Sequence, residues 1–92
     1  MGTRTPLTPT APTVYELGAD LLLVFKPRGY VATEHAHPHA QRLRVLRGCL
    51  RVVSTRREGR VEASAPYVLE AGELHSTEAL ADTWLVAENL PD

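Results

Sequence analysis

Short segments of β-type residues, separated by turn residues, recur along this chain from Val14 onward. Residues 21–25 form an apolar run of strand length that ends at a Pro-Arg-Gly turn. We find no stretch with the periodicity of an amphipathic helix. Many short strands joined by Gly and Pro turns bury their apolar side chains as a sandwich or barrel, so the sequence predicts a single all-β domain.

The predicted strands follow from runs of β-type residues between turn residues. Alternation in residues 42–46 places Leu43 and Val45 on one face of their strand. The sequence leaves residues 78–81 open as either one helical turn or a loop, and it predicts a hairpin loop at 56–59. Strands are predicted at 21–25, 30–34, 42–46, 49–55, 60–65 and 67–69, from His75, and at 83–88.

The chain has 92 residues, which corresponds to one domain. Residues 1–13 are rich in Thr and Pro and predict an extended arm, because proline fixes φ and removes a backbone donor. Residues 14–92 form the predicted barrel domain. A domain this small has a limited core that dimerisation would help to stabilise, so we expect a homodimer.

Composition excludes several classes of protein. The net charge is −1 with basic and acidic residues interspersed, which predicts no nucleic-acid partner. No apolar run approaches the length of a membrane span, and the N-terminus lacks the apolar region of a signal peptide. The single cysteine, Cys49, excludes a disulfide framework and fits a reducing compartment. We therefore expect a cytoplasmic protein without a membrane partner.

Three histidines suggest a metal site. His35 and His37 are separated by one residue, and residues i and i+2 of a strand point to the same face. His75 follows much later, where a second strand could deliver it to the same point. Three imidazoles around an open position are what a catalytic or ligand-accepting divalent metal requires.

The spacing around the first two histidines is specific. Gly29 is followed by five residues, His35, one residue, His37, three residues, Gln41, six residues and Gly48. This pattern resembles the first motif of the cupin superfamily, G-x5-H-x-H-x3-4-E-x6-G. Gln41 is the one departure, since it stands where the family has Glu.

A second motif of that family, G-x5-P-x-G-x2-H-x3-N, is matched in part by Gly72 and His75. The resemblance covers roughly residues 20–88 and implies a small double-stranded β-helix, or jelly-roll barrel. It also implies one divalent metal inside the barrel, with His35, His37, His75 and Gln41 as ligands. Ser64, Glu70 and Ala79 depart from the second motif.

Neutral imidazole suits several ions, so the expected cofactor is a divalent transition metal such as Zn, Ni, Fe, Mn, Cu or Co. Gln41 is a weaker ligand than a carboxylate, and it either contacts the metal or lines the pocket. In both cases the ion keeps its full charge, which favours an anionic small-molecule ligand.

His39 has the same parity as the first two histidines, but Pro38 interrupts the strand between them. The sequence leaves two interpretations open: a solvent-exposed loop residue, or a residue at the mouth of the pocket.

Three functional hypotheses follow. A metal-dependent enzyme of the oxygenase, isomerase or decarboxylase type would act on a small anionic or chelating molecule. A non-catalytic module would bind or sense such a molecule without changing it. A vestigial barrel would have its pocket packed shut. Fold alone does not separate these hypotheses, because this barrel hosts unrelated chemistries.

Overall fold

A computed structural model describes residues 9–55, 58–62 and 65–91 of the chain. These residues form nine strands, and no helix among them has the length and apolarity that a bilayer crossing requires. The strands are β1 (Thr13–Gly18), β2 (Leu21–Lys26), β3 (Val31–His35), β4 (Gln41–Arg47), β5 (Leu50–Ser54), β6 (Glu58–Val61), β7 (Tyr67–Leu69), β8 (His75–Ala79) and β9 (Thr83–Asn89).

The strands form two antiparallel sheets. One sheet has the order β1-β2-β9-β4-β7, and the other has the order β3-β8-β5-β6. Strands that are neighbours in a sheet are often distant in sequence, as in the pairs β2–β9 and β3–β8. This crossing between two layers is the jelly-roll arrangement, and it confirms the predicted all-β barrel.

The hydrophobic core lies between the two sheets. Leu43 and Val45 on β4 are buried together, as the alternation of their strand predicts. On β4, β5, β8 and β9 buried side chains alternate with more exposed ones, so this part of the core follows from the sequence pattern. The buried cluster comprises Leu43, Val45, Leu50, Val52, Val61, Leu69, Leu85 and Ala87.

Several predicted boundaries differ from the structure. Residues 78 and 79 belong to β8, where Glu78 pairs with Val31 of β3, whereas residues 80 and 81 lie in the bend before β9, so the loop alternative holds for this second half only. β6 begins at Glu58 because this residue pairs with Val53, which makes the predicted hairpin loop shorter. Residues 1–8 of the predicted arm lie outside the described residues, and β1 already begins at Thr13.

Gly48 connects β4 to β5 in a conformation that requires glycine. Its φ is +103°, in the left-handed region. A Cβ at this position would lie 2.5 Å from the Asp82 carbonyl oxygen and 2.5 Å from the Thr83 hydroxyl oxygen. The turn after β4 therefore packs directly against the residues that begin β9, and a side chain would separate them.

Candidate metal centre

The structure brings His35, His37 and His75 together. One candidate ligand nitrogen from each ring lies within 4.8 Å of the other two. The ring centroids are 4.9 Å apart for His35 and His37, 4.4 Å for His35 and His75, and 5.2 Å for His37 and His75. Three imidazoles at this spacing can each present a nitrogen to one central ion.

His75 reaches the cluster through the alternation of β8. His75 and Thr77 are buried, whereas Ser76 between them is only half-buried. His75 itself is 2% exposed. Successive residues of a strand point to opposite faces, so the sequence His-Ser-Thr directs the histidine and the threonine into the barrel.

His35 reaches the cluster through an irregularity in β3. Ala32 pairs with Thr77, and a regular ladder would then place Glu34 opposite His75. The register instead shifts between Ala32 and His35, so that His35 is the residue paired with His75. A β-bulge of this kind redirects a side chain, and here it turns His35 toward His75.

Backbone carbonyls fix the tautomers of two rings. Nδ1 of His35 lies 2.7 Å from the Thr33 carbonyl oxygen, and Nδ1 of His75 lies 2.9 Å from that of Glu73. A carbonyl oxygen only accepts, so both Nδ1 atoms carry the hydrogen and donate it. Nε2 of each ring therefore keeps its lone pair and is the nitrogen that could bind a metal ion, in the arrangement common among metal-ligating histidines.

His37 lies beyond the end of β3, so its place in the cluster does not come from the two-residue parity of a strand. The backbone amide of Gly72 donates to the His37 carbonyl oxygen at 2.8 Å, which ties this segment to the loop before β8. Burial lowers the pKa of His37, and the charges of His35, His75 and Lys26 lower it further. The ring is therefore held in the neutral form that binds metals.

The cluster opens into a cavity of about 170 Å³. This volume is comparable with the engineered cavity of about 150 Å³ that binds benzene. The barrel is therefore not packed shut, which argues against a vestigial pocket. The polar lining residues are Lys26, His35, His37, Gln41, His75 and Thr77. The apolar lining residues are Leu22, Val24, Leu43, Leu50, Leu69, Leu85 and Ala87.

Gln41 lines this cavity at the start of β4 and is 8% exposed. Its carboxamide nitrogen donates to Oδ1 of Asn89 at 3.3 Å. This hydrogen bond uses the nitrogen, so Oε1 is the carboxamide atom with lone pairs to offer a metal ion or its bound water. Direct ligation by Gln41 stays a prediction.

His39 lies elsewhere in the structure. It lines a separate surface depression together with Asp20, Asn89, Leu90 and Pro91, and it is not among the residues that line the histidine cavity. A bend at residues 38–39 follows His37, as Pro38 predicts. The role of His39 at the mouth of the pocket stays a prediction.

Lys26 is a cavity residue that the sequence interpretation missed. Its Nζ donates to the Thr77 hydroxyl oxygen at 2.9 Å, and burial lowers its pKa. One sequence signal was available: Lys26 shares the parity of Leu22 and Val24, and all three line the cavity. A lysine at the end of an apolar strand usually reaches solvent, so the parity of Lys26 alone does not predict that it lines the cavity.

Comparisons with known proteins support the fold. A scan against family models and a search of curated proteins found no match. Among solved structures, a cupin superfamily protein from Desulfitobacterium hafniense aligns with a TM-score of 0.76 at 10% identity, over 98% of this chain and 84% of that one. KdgF from Halomonas sp. aligns with a TM-score of 0.67 at 24% identity, over 88% of this chain and 79% of that one.

A third similar structure is that of YcfD, a ribosomal oxygenase from Escherichia coli in complex with cobalt and succinic acid. Its TM-score is 0.70 at 15% identity, and the match covers 79% of this chain but only 24% of the oxygenase. These likenesses agree with the motif spacing and with the two-sheet topology. The protein has the fold of the cupin superfamily, with a three-histidine cluster inside its barrel.

Proposed function

We propose that this protein binds a divalent transition metal through His35, His37 and His75 and uses it to hold a small anionic or chelating molecule. The observation that carries the proposal is the convergence of three nitrogens within 4.8 Å at a cavity of about 170 Å³. The backbone hydrogen bonds of His35 and His75 strengthen it, because they leave both Nε2 atoms available.

The donor set limits the metal. Three imidazoles suit Zn, Ni, Cu, Fe or Co, and an added carboxamide oxygen also admits Mn. When bound, such an ion supplies Lewis-acid character that polarises a carbonyl or acidifies a bound water. The protein's own groups orient the ligand: Gln41 and Thr77 offer hydrogen bonds, and the apolar lining excludes water.

We propose an enzyme of the oxygenase, isomerase or decarboxylase type as the first candidate. Support comes from the open cavity beside the histidines and from fold neighbours that include an oxygenase solved with cobalt and succinic acid. The second candidate is a module that binds or senses the same kind of molecule without reacting it. The absence of Asp and Glu among the described lining residues favours this alternative, because a carboxylate would be the natural general base.

Metal content tests the proposal. Protein freed of metal by chelation and then loaded with Co²⁺ or Zn²⁺ should hold one ion per chain, measured by elemental analysis. His75→Ala should lose this ion because it removes one of three donors. His39→Ala is the matched control and should keep it, since His39 lies outside the cavity. Failure of the wild-type protein to rebind any of these metals at micromolar concentration would contradict the proposal.

Turnover separates the two candidates. Loaded protein would be incubated with short carboxylates, with oxygen uptake and product formation followed in parallel. An enzyme converts at least one of them, and His75→Ala abolishes the conversion. A sensing module raises its Tm with the same molecule and returns it unchanged.

A further inference from the structure

Lys26 is the only lysine of the chain, and its ammonium group lies inside the barrel. The group donates to Thr77 Oγ1 at 2.9 Å, and Thr77 follows the metal-site residue His75 by two positions on the same face of β8. Lys26 on β2 and the histidines of β3 and β8 therefore line one cavity from opposite sheets. A ligand in this cavity meets both.

The cavity carries positive charge without a carboxylate to balance it. The described residues that line it include one lysine and three histidines but no Asp or Glu. Burying an ammonium group costs free energy unless an anion pairs with it. A divalent metal ion in the same cavity would add further unbalanced positive charge. An anion is the occupant that would satisfy both charges.

The other cations near these sheets serve different contacts. Arg42 forms an ion pair with Glu88 at 3.0 Å, and Arg51 forms one with Glu58 at 2.7 Å. Arg44 is exposed on β4 and does not line the cavity. Among the described cationic side chains outside the histidine cluster, Lys26 is the one that reaches the ligand space.

We propose that Lys26 is a specificity-determining residue that selects a short carboxylate whose second oxygen group faces the metal. This inference rests on the proposed metal-binding function and names its ligand class. The cavity of about 170 Å³ has room for on the order of six to eight non-hydrogen atoms, by comparison with a benzene-sized cavity. Short dicarboxylates and 2-oxo acids have this size and this pair of oxygen groups.

Malonate is a suitable probe, and calorimetric titration measures its affinity. Zinc-loaded wild-type protein should bind one malonate per chain. Lys26→Met should weaken this binding by about tenfold or more, because it removes a charge-assisted hydrogen bond. Arg44→Met, which removes an exposed cation, should leave the affinity unchanged, and malonamide, which is neutral, should bind the wild type more weakly than malonate does.

Zinc content is measured in every sample, which separates the two proposals. Lys26→Met should retain a full zinc complement and bind zinc at least as tightly as the wild type, since one neighbouring positive charge is gone. If the wild type holds no zinc, the metal proposal fails, and the same malonate comparison on the metal-free proteins still tests Lys26. Equal malonate affinity in wild type and Lys26→Met, or no malonate binding by any form of the wild type, overturns the assignment.

Discussion

His35 and His75 face each other across the β3–β8 pair, with their ring centroids 4.4 Å apart, because β3 shifts its register before His35. Without that shift His75 would face Glu34 instead. Both rings donate Nδ1–H to a carbonyl two residues earlier in the chain, so the two sides of the pair are held in the same way. Backbone contacts alone therefore hold these two rings in an orientation that could bind a metal ion.

Acid should destabilise the metal-free protein through His37. Burial and neighbouring positive charges lower its pKa from 6.5, whereas the unfolded chain keeps the ordinary value. The unfolded state therefore binds more protons between 6.5 and the lowered pKa, and the free energy of unfolding falls as the pH drops through that window. Urea unfolding at a series of pH values measures this dependence.

Substitution isolates the contribution of His37. His37→Gln should flatten the fall in stability on the acid side of pH 6.5, while His39→Gln, changed outside the cavity, should leave it in place. An unaltered pH dependence in His37→Gln would show that its burial is not the cause.

Gln41→Glu should raise the affinity of the protein for zinc and lower its affinity for anionic ligands. A carboxylate in the cavity adds a strong oxygen donor and neutralises part of the ionic charge, so zinc should bind about tenfold tighter or more. The same charge should weaken malonate binding. Gln41→Leu, which has no donor, provides the comparison for zinc. Equal zinc affinity in Gln41→Glu and Gln41→Leu would place the side chain of residue 41 away from the ion.

Gly48→Ala should destabilise the fold by about 2–4 kcal/mol, because it combines left-handed strain with overlap against backbone. The new Cβ would lie 2.5 Å from the Asp82 carbonyl oxygen. Gly29→Ala is the matched control: its φ is +86° but its Cβ would meet nothing within 4 Å. It should cost only about 1–2 kcal/mol. Urea unfolding measures both variants, and equal losses would refute the role of the Asp82 contact.

The expected homodimer can be tested at β1, which lies at the edge of its sheet. Val14 is 58% exposed and Leu17 is 54% exposed on this strand, and burial of both in an interface would stabilise a small domain. Sedimentation should give twice the chain mass of 10.1 kDa. Leu17→Lys should shift the protein toward monomer, and Leu46→Lys, at an equally exposed leucine of β4, should not. A wild-type monomer at micromolar concentration would remove the dimer prediction.

Local pattern was enough to predict much of this fold. The alternation of β4 identified Leu43 and Val45 as core residues, because burial against a second sheet acts on every other residue. The start of β8 at His75 followed from the turn before it. Motif spacing supplied the barrel topology, which short-range pattern alone does not define.

Long-range contacts account for what the sequence did not predict. The parity argument for His35 and His37 assumed one continuous strand, but β3 ends at His35 and the Gly72 amide holds the His37 carbonyl. The register shift before His35 depends on pairing with β8, far along the chain. Lys26 was missed for a related reason, since its partner Thr77 lies 51 positions away.

The residues that line the cavity would also determine which ions the proposed metal centre accepts. Magnesium and calcium require several oxygen donors, and the described lining residues provide three ring nitrogens without a carboxylate. Magnesium and calcium, although abundant in cells, should therefore bind this centre weakly, and scarcer transition-metal ions should bind it more tightly. Loading in vivo would then follow the supply of trace metals rather than the concentration of magnesium.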